Sequence, residues 1–320
     1  MSAPDVVTTR LREPVRVDQP LVLITQAQRS GGTLLQRLLD GHPQCHVVPF
    51  QFRGIDRAIR DGLSDPQEAW RALYDPKLVG RFRHGHRQQK HHVLDDAEVF
   101  PFTLPPELQR RIYDDCAARL QEHDTRGLIE CYLTSFFNAW LDYGNLDGAK
   151  RWVVAFEPAV ARGAARRSYI RRLYPDGRIV SIIRDPWSWY ASASRWEPQW
   201  RDRDHALGHW CRIAEGTSVW KKKMKDDLRL IRFDKLLLQT EQTIRQLAAW
   251  LEIDFVPELL EPTFNGRPIS ANTSFGDLST GVSAKHLERA REELAPADVE
   301  YIRRRAGSLY KRLAHHAASD

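Results

Sequence analysis

The chain has 320 residues, 42% hydrophobic and 28% charged, which allows one large domain with its own core and excludes a wholly disordered chain. Its net charge of +6 suits an anionic ligand such as a nucleotide, a sulfated sugar or a nucleic acid, and serves solubility equally well. The basic residues are scattered rather than gathered on a recognisable motif, which argues against a nucleic-acid module. No segment reads as a signal peptide or has the length of a membrane span, so a cytoplasmic protein is expected.

Residues 1–19 are polar, lack a sustained period and are expected to be a flexible N-terminal segment ahead of a single domain over 20–320. The first apolar run, Leu21-Val22-Leu23-Ile24, reads as a buried strand. A glycine-bearing loop follows, then a helical pattern over 33–40 stopped by Gly41 and Pro43. Residues 46–48 suggest a second short strand. Helical insertions are expected over about 54–150: a pattern over 56–74 with a fresh start at Asp65-Pro66, a basic loop over 81–92, and amphipathic helices over 106–122 and 128–141. Strands are predicted over 152–156, 178–183 and 228–232. Helices are predicted over 160–173, after 186, and over 240–251, 284–294 and from 296 onward. Strands alternating with helices indicate an α/β protein with a mainly parallel sheet, whose ligands bind at the carboxyl ends of the strands.

The four cysteines, Cys45, Cys116, Cys131 and Cys211, lie far apart with no Cys-x-x-Cys pair. Four buried thiols are expected, with neither a disulfide framework nor a structural zinc site, as suits a reducing compartment.

Two places at strand ends carry chemistry. The first is Gln28-Arg29-Ser30-Gly31-Gly32-Thr33. A strand, a glycine-rich loop and a helix start present backbone N–H groups to an anion. Ser30 and Thr33 add hydroxyls, and Arg29 adds a planar fork of donors. The triphosphate version of such a loop ends in Gly-Lys-Ser/Thr. Here no lysine follows the glycines; the cation precedes them. That order counts against a nucleotide kinase or ATPase, although a plain strand-to-helix turn has the same outline. The second place is Arg184-Asp185-Pro186, with Ser192 eight residues past Arg184, about two helical turns. Asp185 suits a helix N-cap and Pro186 the first helical position.

Together these motifs resemble the sulfotransferases that use 3′-phosphoadenosine 5′-phosphosulfate (PAPS), in their bacterial-type branch. Residues 29–33 look like the family's 5′-phosphosulfate loop, with arginine where many members have lysine. Arg184-Asp185-Pro186 with Ser192 looks like its 3′-phosphate motif. Gly41-His42-Pro43 and Phe233-Asp234-Lys235-Leu236-Leu237 extend the resemblance, which covers about 20–314 and is weakest from Gly54 to Lys150. It implies a P-loop-type three-layer fold. It implies a PAPS site made of Arg29, Ser30, Gly31, Gly32, Thr33, Leu34, Arg184 and Ser192, completed near the C-terminus by Ser274 and Arg289, with Lys285 as a competitor.

The implied reaction is an in-line sulfuryl transfer to an acceptor hydroxyl, in which positioning and charge stabilisation do most of the work. Arg29 is placed to meet charge developing on the nucleotide oxygen. The transferred group carries less charge than a phosphoryl group, so no metal is expected. The family's glutamate base falls near Gln51, whose amide is no base at neutral pH but can orient an acceptor. His46, His84, His86, His91, His92 and Glu157 are other candidate bases. The acceptor is left open among carbohydrate, lipid, phenol and peptide hydroxyls, with a carbohydrate or small molecule expected, as is the alternative of a nucleotide-binding protein with little or no transferase activity.

Overall fold

The computed structural model describes residues 3–82, 86–87, 99–100, 102–158, 160–269, 281–284, 287 and 292–318. The apolar runs become one five-stranded parallel sheet. Its strands are β1 (Leu21–Gln26), β2 (Cys45–Gln51), β3 (Trp152–Phe156), β4 (Arg178–Ile183) and β5 (Leu228–Arg232), in the order β2-β3-β1-β4-β5. The described helices are α1 (Ala3–Arg12), α2 (Gly32–Leu39), α3 (Arg53–Asp61), α4 (Pro66–Leu73), α5 (Pro76–Phe82), α6 (Pro106–Ala118), α7 (Thr125–Ala139), α8 (Ala164–Leu173), α9 (Pro186–Trp196), α10 (Arg203–Met224), α11 (Phe233–Leu238), α12 (Thr240–Leu251) and α13 (Pro296–Ala318).

Alternation along the strands builds the three layers. Val22 and Ile24 of β1 face Leu35 and Leu38 of α2 and Leu247 of α12. Leu21 and Leu23 join the opposite core with Phe136 of α7, Leu207 of α10 and Ile302 of α13. All these side chains are buried. The order reverses around β1, with β3 on one side and β4 on the other, so a crevice opens at the carboxyl end of β1.

β2 is an edge strand and carries Pro49, which offers no N–H to a ladder. Its register against β3 shifts there: Val47 pairs with Val154, but Gln51 pairs with Phe156. The buried Gln36 amide of α2 covers the irregular stretch, donating to the carbonyls of Val48 and Phe50. The shift sets Gln51 beside the end of β3.

Three sequence expectations are corrected. Residues 3–12 are helical rather than an unstructured lead: Arg10 of α1 donates to the carbonyls of Asn138 and Trp140, and Val17 is fully buried. Cys116 and Cys131 form a disulfide joining α6 to α7, because the two packed helices bring their Cα atoms to 5.4 Å; Cys45 and Cys211 are buried thiols. The long α10 falls where no helix is predicted, since its buried face mixes His209, Thr217 and Ser218 with Leu207 and Ile213. The helix predicted over 284–294 falls largely outside the described residues. No described helix is long and apolar enough to cross a membrane.

Candidate functional site

The loop between β1 and α2 is held open from behind. The indole Nε1 of Trp189 donates to the Gln28 carbonyl at 2.6 Å, and Arg184 Nη1 donates to the Arg29 carbonyl at 2.9 Å. In a trans peptide the carbonyl and the following N–H point in opposite directions, so the N–H groups of Arg29 and Ser30 turn away from these donors. Arg29 has φ 69° and Gly31 φ 100°, left-handed values that curl the loop into a nest of N–H groups. The N–H groups of Gly32, Thr33 and Leu34 follow at the start of α2, where no intrahelical carbonyl reaches them.

Both glycines are set by close approach as well. A Cβ on Gly31 would lie 2.6 Å from the Phe233 ring. One on Gly32 would lie 2.5 Å from Phe156 and 2.8 Å from Gln26. Thr33 is exposed, and Leu34 is half-buried against the α2–α12 core. Three buried oxygens around the loop, Thr25 Oγ1, Gln26 Oε1 and Ser30 Oγ, have no hydrogen-bond partner among the described residues. Such groups fit a ligand that brings donors and acceptors of its own.

At the end of β4, Asp185 caps α9 by accepting from Ser188 N at 3.0 Å, with Pro186 at the first helical position. Arg184 is 7% exposed, and its Nε donates to Ser188 Oγ at 3.1 Å. Its guanidinium lies 4.7 Å from the centre of the Phe233 ring. Ser192, 1% exposed, stands one turn beyond Ser188 on the same face of α9. Ser188 is a part of this motif that the sequence reading passed over; the Asp-x-x-Ser spacing of a capped helix start was its signal.

Arg29 and Arg184 therefore meet at one crevice. The Arg29 guanidinium also lies 4.2 Å from the centre of the Trp196 ring. Burial lowers both arginines to about 10. Glu197 opposes the shift of Arg29, Asp185 opposes that of Arg184, and Arg29 itself lowers Arg184 further. One buried and one half-buried cation that repel each other make a site whose energy falls when an anion binds.

Gln51 faces a carboxylate. Its Nε2 lies 3.3 Å from Glu157 Oε1 and 3.2 Å from Oε2. Glu157 follows β3 directly, its N–H donating to the Ile24 carbonyl at 3.0 Å. Burial raises its carboxyl to about 7, while the Gln51 amide pulls the other way and Asp56 adds to the rise. Asp56 is paired with Arg166 across α3 and α8 at 3.0 Å. A carboxyl poised near neutrality beside an anion site has the properties of a general base. His46 lies in the core: it is fully buried near Tyr143, and burial lowers it to about 3. His86 is described by its backbone alone, in a two-residue strand pair with residues 99–100. His84, His91, His92, Ser274, Lys285 and Arg289 lie outside the described residues. Among the described residues, no cluster of three or more histidine, cysteine or acidic side chains is placed to hold a metal.

In sequence, the model of the sulfotransferase family matches residues 20–257. A search of curated proteins finds no significant match. In structure, the chain is similar to the sulfotransferase domain from the curacin biosynthetic pathway, at 17% identity and a TM-score of 0.52, covering 91% of this chain and 98% of that one. It is also similar to the sulfotransferase domain of the Synechococcus PCC 7002 olefin synthase, at 13% identity and a TM-score of 0.54, covering 93% and 96%. At these identities the structural likeness bears on the fold.

Proposed function

The chain belongs to the sulfotransferase family, and from that premise we propose that it moves a sulfuryl group from PAPS to the hydroxyl of a small-molecule acceptor. The observation that carries this reading is the meeting of a buried guanidinium, Arg184, and a half-buried one, Arg29, at a glycine-lined loop. In this reading residues 29–34 hold the 5′-phosphosulfate, while Arg184 and Ser192 hold the 3′-phosphate. Ser274 and Arg289 remain proposed contacts to the same nucleotide.

When bound, PAPS supplies a sulfuryl group activated by its bond to a phosphate leaving group. The new bond joins acceptor oxygen to sulfur, and the sulfur–oxygen bond to the 5′-phosphate breaks. Arg29 and the loop N–H groups stabilise the charge left on that phosphate. Glu157 takes the acceptor proton, and Gln51 orients the carboxylate. The base is thus assigned to Glu157, and Gln51 becomes its positioning residue.

Incubation with PAPS labelled in its sulfate, followed by separation of products over a panel of hydroxyl compounds, tests the reading. Labelled sulfate esters formed by the wild-type protein support transfer. Tight binding of 3′-phosphoadenosine 5′-phosphate (PAP) with no ester from any acceptor would favour a nucleotide-binding protein without transferase activity.

A further inference from the structure

Gln28 is gripped at both of its oxygens. Its carbonyl accepts from Trp189 of α9, and its side-chain Oε1 accepts from His209 Nε2 of α10 at 2.6 Å, across 181 positions of sequence. The Trp200 ring links the two donors: its centre lies 4.7 Å from that of His209 and 5.9 Å from that of Trp189, edge-on to each. All three rings are buried.

His209 is a committed donor. Burial lowers its pKa to about 4, and Arg162, Arg212 and His205 add to the fall. The ring is therefore neutral at pH 7 and carries one N–H, which the Gln28 oxygen fixes on Nε2. The residue that follows Gln28 shows why the grip matters. Arg29 has a left-handed φ of 69°, a conformation that a residue with a Cβ keeps only where its surroundings impose it. Trp189 holds the carbonyl before that turn, and Arg184 holds the carbonyl after it. One hydrogen bond at Gln28 would leave a pivot. The second, at the end of the side chain, sets the direction of the residue.

From this geometry we infer that His209 is a positioning residue for sulfuryl transfer: through Gln28 it sets the turn at Arg29, and so the N–H groups that receive the 5′-phosphosulfate. The inference rests on the sulfuryl-transfer reading. It concerns the 5′ end of the nucleotide, while the proposed 3′-phosphate contacts are Arg184 and Ser192, so the two ends can be read separately.

The test is calorimetric titration of the full chain with PAP and with adenosine 3′-phosphate, which lacks the 5′-phosphate. His209→Phe keeps a ring against Trp200 and removes the donor. We expect it to weaken PAP roughly tenfold, the scale of a hydrogen bond lost with its acceptor left unpaired, while adenosine 3′-phosphate binds as it does to the wild-type protein. His209→Gln places an amide N–H where Nε2 stood and should keep most of the PAP affinity. Gln28→Leu should reproduce the loss, and carries the test if His209→Phe does not fold. The double variant should bind PAP no more weakly than either single one, because both act through one contact. Unchanged PAP affinity in folded His209→Phe or Gln28→Leu, or an equal loss of both nucleotides, overturns the inference, as does a loss in His209→Gln equal to that in His209→Phe. Absence of PAP binding to the wild-type protein would instead remove the sulfuryl-transfer reading itself.

Discussion

Arg184 and Arg29 are joined directly: Arg184 Nη1 donates to the Arg29 carbonyl oxygen at 2.9 Å, across 155 positions of sequence. One side chain thus braces the loop after β1 from the end of β4 and also brings its own charge to the crevice. Arg184→Ala should weaken PAP binding by roughly 100-fold, the scale of a lost hydrogen-bonded charge. Arg184→Lys should restore only part of it, because an ammonium cannot serve Ser188 and the Arg29 carbonyl as a fork does. Calorimetry with PAP reads both.

Arg29 has the complementary role. Arg29→Ala should lower kcat by roughly 10²–10³-fold, the usual loss for one donor to developing charge, and raise the dissociation constant of PAP less. Single-turnover kinetics beside PAP titration separates the two effects; equal, small effects would contradict the assignment.

Glu157 governs the pH dependence in two ways. As a base titrating near 7, it should give kcat/KM a rising limb with its midpoint there, and Glu157→Gln should lose roughly 10²–10⁴-fold in kcat with PAP affinity kept. The sign for stability is opposite. Between its ordinary 4.5 and about 7 the folded carboxyl holds more protons than the unfolded one, so stability falls as pH rises through that window. The shift corresponds to on the order of 3 kcal/mol. Glu157→Gln should lose that part of the pH dependence in urea unfolding at pH 5 and pH 8.

Gln51 acts on the same limb. Its amide favours the charged carboxylate, so Gln51→Met should move the midpoint of the limb upward from about 7 while PAP affinity stays. A merely structural role would leave the midpoint unmoved.

The Cys116–Cys131 disulfide closes 15 positions of sequence between α6 and α7. Replacing both cysteines with serine should cost about 3 kcal/mol under oxidising conditions by the chain-entropy model. Thiol titration of the unfolded, unreduced wild-type chain should count two free thiols, Cys45 and Cys211.

Much of the frame was legible before folding. The runs at 21–24, 178–183 and 228–232 are short and rich in aliphatic residues, and each lies within a strand of the sheet. Arg29 and Arg184 stood out because each follows the carboxyl end of a strand. Their direct contact was not legible, since it depends on β4 pairing with β1. Gln51 and Glu157 illustrate the same limit: they are 106 positions apart, and only the register shift near Pro49 turns one towards the other. The disulfide escaped for a related reason, because helix packing rather than spacing brings its cysteines together.

The central claim is that the loop at Arg29 and the motif at Arg184 form one nucleotide site. Calorimetric titration of the wild-type protein with PAP, without magnesium, tests it most directly. The account predicts saturable binding at one site per chain, weakened by roughly 100-fold in Arg184→Ala. No measurable heat of binding from the folded wild-type protein, or tight binding of ATP that needs magnesium in place of PAP, would contradict it.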